Sequence, residues 1–68
     1  MKFTIDSEQE PDVRWLAEVI ELPGVVAYGA VRTDAIQQAK ALALRVIAER
    51  LEHGEPVLDM SNVFTVLS

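Results

Sequence analysis

Sixty-eight residues with no cysteine bound this chain to one small domain, without disulfides or thiolate metal sites. Eleven acidic residues against six basic ones give a net charge of −5, and no Lys/Arg-rich stretch offers itself to a phosphate backbone, so direct nucleic-acid binding is not expected. A domain this small buries only about 60% of its unfolded surface, which leaves homo-oligomerisation as the expected support for a marginal core.

Net acidity suits a basic partner, because complementary charge speeds encounter and selects partners; it also serves simply to keep a small protein soluble. Lys2 is followed by alternating polar and apolar residues rather than an apolar run, so no signal peptide is expected. No stretch approaches the about 20 apolar residues that span a bilayer. The expected location is cytoplasmic, with no membrane partner.

In chain order, residues 2–9 alternate, with Phe3 and Ile5 on one side and Lys2, Thr4, Asp6 and Glu8 on the other. That period of two predicts a half-buried strand. Glu10-Pro11-Asp12 predicts a turn, since Pro11 presets φ and Asp12 can bond local backbone. Residues 14–20 predict a second strand with Trp15, Ala17 and Val19 on its core face. Setting Ile5 opposite Ala17 keeps both apolar faces together and makes Glu10, Pro11 and Asp12 the loop; an even-numbered loop would put Ile5 against Glu18 and misplace every side chain. Thr4, Asp6, Leu16, Glu18 and Ile20 then share the other face, a mixed surface open to water or to a partner. Leu22-Pro23-Gly24 is a turn, and Val25 to Gly29 a short third strand with Tyr28 near its end.

A helix is predicted from about residue 32 to His53. Ile36, Ala39, Ala43, Ile47 and Leu51 form one stripe, flanked by Leu42 and Val46 on one side and Leu44 on the other. The apolar arc spans roughly 200°, wider than the about 100° stripe a surface helix needs. It reads either as a binding flank or as a bulky core shared with the last strand. Thr33 is the expected N-cap by residue type, with Asp34 in the first turn. Gly54 suits a left-handed C′ position, His53 the negative end of the dipole, and Pro56 forbids continuation. A linker from Glu55 to Ser61 leads to a final short strand, Val63 to Leu67. The order β-β-β-α-β is α+β, and one helix covers one sheet face, giving two layers. The last strand is expected beside the first.

No catalytic constellation emerges. The serines and threonines have no histidine at a recognisable spacing, and His53 at a helix end suits a capping role. No Gly-rich strand-to-helix run with a lysine makes a phosphate loop. Asp6 and Glu18, diagonal neighbours about 7 Å apart in the expected register, could begin a magnesium site only with further acidic ligands. A solvated face is the plainer reading. No cofactor or metal is expected, and the chain is not expected to be an enzyme.

One ordered set of segments resembles a known family. Phe3-Thr4-Ile5, Trp15-Leu16-Ala17-Glu18-Val19, Glu21-Leu22-Pro23-Gly24-Val25, Ala27-Tyr28-Gly29 and the helix end from Ala41 to Gly54 together resemble the N-terminal domain of HicB-family antitoxins over about residues 2–54. The resemblance implies a fold similar to a truncated RNase H sheet, with strand order 3-2-1-4, a last strand parallel to the first, and one helix on one face. It also implies a function: members usually neutralise HicA-type toxins, small basic proteins that degrade messenger RNA. The chain departs from the pattern at Val13, where a turn glycine is common, and at Ile20, where a proline is. It departs again at Ala30 and Val31, where an acid and a helix-capping threonine are typical. Many members continue into a DNA-binding domain; residues 1–68 are expected to form a single HicB-like domain without one.

The leading expectation is therefore a cytoplasmic antitoxin-like protein that occludes the active surface of a small basic HicA-like toxin. The expected contacts are Asp6, Glu8, Glu18, Glu21, Leu22, Pro23 and Tyr28. Leu16, Ile20, Leu42 and Leu44 are the candidate oligomer interface. Two other readings stand beside it: an orphan homo-oligomeric interaction domain without a toxin, and a metal-dependent nuclease remnant built on Asp6 and Glu18.

Overall fold

The computed structural model describes residues 2–54 and 64–67. They form β1 (Phe3–Gln9), β2 (Trp15–Val19), β3 (Val26–Gly29), α1 (Arg32–Glu52) and β4 (Phe64–Val66). The four strands make one mixed sheet in the order β3-β2-β1-β4, with β4 parallel to β1 and the other pairings antiparallel. The helix covers one face, so the two-layer α+β architecture expected from the element order is the one observed. The expected linker, Glu55 to Ser61, and Val63 at the start of the expected last strand lie outside the described residues.

The core lies between sheet and helix. Phe3 and Ile5 of β1, Ala17 and Val19 of β2, and Leu22 and Val25 of the following turn meet Ala35, Ile36, Ala39, Ala43 and Ile47 of α1. Trp15, Ala27, Leu42, Val46 and Phe64 pack around them, half-buried, and the Phe3 and Phe64 rings stand 5.9 Å apart across the parallel pair. Each large aliphatic side chain taken fully from water contributes about 1.5–3 kcal/mol. The three helix alanines facing the sheet let the layers approach closely. Gly29 does the same from the strand side: a Cβ there would lie 2.5 Å from the Ala35 nitrogen and 2.8 Å from the Asp34 Cβ.

Register departs from expectation by two residues. Ile5 lies opposite Val19 and Ser7 opposite Ala17, not Ile5 opposite Ala17. The loop has the expected three residues, but they are Pro11, Asp12 and Val13. The Glu10 N–H donates to the Arg14 carbonyl at 2.7 Å, and the Val13 N–H to the Glu10 carbonyl at 2.9 Å. Val13 takes φ 67°, the left-handed position that closes a three-residue hairpin loop. Because the shift is even, every side chain keeps its expected face.

The helix ends as its sequence implies: the His53 N–H donates to the Glu49 carbonyl, the Gly54 N–H to that of Leu51, and Gly54 takes φ 78°. Its start differs. The N-cap is Val31, which offers no side-chain oxygen, and Thr33 lies inside the first turn. The helix is about 31 Å long, against about 24 Å for the longest strand. Ile47 is its last buried residue, and Leu51, assigned to the core stripe by periodicity, is 54% exposed beyond the sheet.

Candidate partner-binding face

Strand alternation divides the sheet into a helix-covered face and an open one. Thr4, Asp6 and Glu8 of β1, Leu16 and Glu18 of β2, and Val26 and Tyr28 of β3 lie on the open face, with Ile20 just past the end of β2. The registers align them in rows: Asp6–Glu18–Val26 and Glu8–Leu16–Tyr28. Leu16 and Val26 are half-buried, while Ile20 and Tyr28 are 53% and 50% exposed. An apolar band therefore runs beside an acidic one.

Asp6 and Glu18 are direct opposites, not the diagonal neighbours of the expected register. The Ile20 N–H donates to the Thr4 carbonyl, and alternation from that bond makes Asp6–Glu18 a hydrogen-bonded pair, with Cα atoms about 5.5 Å apart. Like charges so placed destabilise a sheet. Among the described residues no ion pair neutralises them; Arg14 is engaged by Asp12 at 2.8 Å.

Arg14 closes one end of this face. Its guanidinium lies 5.2 Å from the centre of the Tyr28 ring, in cation–π range. The Arg14 N–H, and then its guanidinium, hold the Asp12 carboxyl below the ordinary aspartate range. At the other end Glu21 turns back onto β1 and accepts both the Thr4 N–H and the Thr4 hydroxyl.

The expected contact residues thus separate. Asp6, Glu8, Glu18 and Tyr28 share the open face. Pro23 is exposed in the turn below it. Glu21 is exposed but committed to Thr4. Leu22 is corrected: at 4% exposure it belongs to the core and is not a contact residue. Of the expected oligomer residues, Leu16 and Ile20 lie on the open face, Leu42 packs half-buried against the core, and Leu44 is 46% exposed on the helix.

Sequence reasoning missed Arg32, which ties α1 to β1 and to the residue after β4. Its Nε donates to the Ser7 hydroxyl at 3.1 Å and its Nη2 to the Leu67 carbonyl at 2.7 Å. The signal was present, since an arginine in the first turn opposes the helix dipole and needs a compensating partner.

Among the described residues no group of three or more His, Cys, Asp or Glu side chains is placed to hold a metal ion, and no concave pocket is present. None of their helices is long and apolar enough to cross a membrane. Comparison with protein-family models, curated proteins and solved structures finds no match.

Proposed function

We propose that this chain is an antitoxin-like binding domain whose open sheet face covers the active surface of a small basic RNA-cleaving protein. One observation carries the reading: among the described residues Asp6 and Glu18 lie opposite each other with no ion pair to neutralise them, beside Leu16, Ile20, Val26 and Tyr28. A cationic partner turns that repulsion into attraction, and the apolar band supplies area to bury. The resemblance to HicB antitoxins supports the choice of a HicA-type toxin. Inhibition is steric and electrostatic, with acidic side chains occupying the cationic groups that would otherwise hold RNA phosphates.

The test begins by recovering the tagged chain from its own host. A stoichiometric small basic protein must accompany it, cleave RNA when alone, and stop cleaving when the chain is restored. Asp6→Lys with Glu18→Lys should weaken that binding at least tenfold and flatten its salt dependence. Inhibition undisturbed by the double reversal would refute the proposed surface, and a partner without RNase activity would refute the toxin.

A further inference from the structure

The outer backbone edge of β3 has no partner among the described residues, because the strand order leaves it at the margin of the sheet. The Val19 N–H donates to the Val25 carbonyl at 3.0 Å. Alternation from that bond gives Ala27 and Gly29 to β2 and turns the N–H and C=O of Val26 and Tyr28 outward. From Val25 to Val31 no residue is charged, in a chain that is 25% charged. Edge strands are ordinarily guarded by lysine, proline, a bulge or a covering element; apart from its shortness, this one has no such guard among the described residues.

We propose that this edge pairs with the same edge of a second copy, antiparallel about a two-fold axis at Ala27, joining two four-stranded sheets into one. The strand is self-complementary in that register. Val26 falls opposite the partner's Tyr28 and Tyr28 opposite the partner's Val26, so both outward-turned residues exchange their N–H···O bonds. No other two-fold register pairs both of them within β3. On the open face each Tyr28 ring meets a β-branched valine, a favourable cross-strand pair. On the helix side alanine meets alanine, small enough for the close approach of a non-hydrogen-bonded pair.

Charge separates this contact from the binding of a basic partner. Two acidic copies repel, and salt screens that repulsion, so self-association strengthens with ionic strength while attraction to a cationic protein weakens. The dimer leaves both open faces uncovered and does not depend on the toxin reading.

The experiment is sedimentation of the purified chain across a dilution series, joined to amide hydrogen exchange. The expected result is a species of twice the 7.5 kDa chain mass that grows with concentration and with salt. In it the Val26 and Tyr28 amides exchange at least tenfold more slowly than in the dilute monomer, while the Ala27 amide is protected in both. Val26→Pro removes only an outward N–H, which an edge strand tolerates. It should give a folded monomer; if it does not fold, exchange in the unaltered chain decides. A monomer at every concentration would overturn the proposal, as would a dimer whose Val26 and Tyr28 amides exchange freely.

Discussion

Glu21 and Thr4, seventeen residues apart, form a two-pronged contact in which the Thr4 N–H reaches Oε1 at 2.6 Å and the Thr4 hydroxyl reaches Oε2 at 2.7 Å. The carboxylate extends the β1–β2 ladder past the end of β2, where the chain turns away towards Pro23. Desolvation pushes the Glu21 carboxyl up, but the Thr4 N–H and hydroxyl outweigh it and hold it below the ordinary glutamate range.

A folded-state pKa below the unfolded value means that folding favours the ionised form. The stability from this contact is complete above the unfolded pKa and is lost as pH falls through the folded one. Glu21→Gln should therefore melt below the unaltered protein at neutral pH, and the two curves should converge as pH falls below the ordinary glutamate range. Parallel Tm-against-pH profiles, offset equally at all pH values, would show that the carboxylate charge is not what Thr4 holds.

Val13 offers a gain rather than a loss. A β-branched residue at φ 67° crowds its own backbone at a cost of about 1–2 kcal/mol, which glycine avoids. Glycine's extra freedom in the unfolded chain offsets part of this, by about 0.5–1 kcal/mol. Val13→Gly should raise stability by about 0.5–1 kcal/mol and Tm by a few degrees. Unchanged register in the variant's backbone amide couplings would show that the gain is local.

The helix start gives a second gain. Val31 stands at the N-cap with φ −129° and ψ 161°, the extended conformation a capping serine adopts, yet it provides no acceptor. Val31 is 53% exposed, so replacing it sacrifices little burial. Val31→Ser should add about 1 kcal/mol, through a hydrogen bond that a first-turn N–H donates to its hydroxyl oxygen. Chemical denaturation should show a higher midpoint with an unchanged slope, since the surface exposed on unfolding is the same.

These two positions also explain what the sequence did and did not disclose. The alternation of Phe3 and Ile5 against Trp15, Ala17 and Val19 fixed the sheet faces, and the spacing from Ile36 to Ile47 fixed the helix stripe, because burial imposes periods that side chains must obey. Register and cap are set by single loop residues, and at both places an ill-suited valine occupies the special position. Residue preference accordingly pointed to a loop ending at Asp12 and a cap at Thr33. The Glu21–Thr4 and Arg32–Ser7 contacts join residues distant in sequence, so no local pattern named the partners. The open face was legible as a mixed surface, but the direct opposition of Asp6 and Glu18 depended on the register and emerged only with the fold.

On the proposed function, the opposition of Asp6 and Glu18 sets stability against binding. If the acidic pair is retained for a cationic partner, neutralising half of it should strengthen the free protein while weakening the complex. Asp6→Asn removes a like-charge cross-strand contact worth about 0.2–1 kcal/mol and leaves side-chain volume nearly unchanged. Its Tm should rise by a few degrees at low ionic strength, and salt should narrow the difference as screening takes over. The same substitution should weaken capture of the basic partner severalfold, most strongly at low salt. A gain in both stability and affinity would mean that Asp6 faces no cation in the complex, and would move the binding surface away from this row of the sheet.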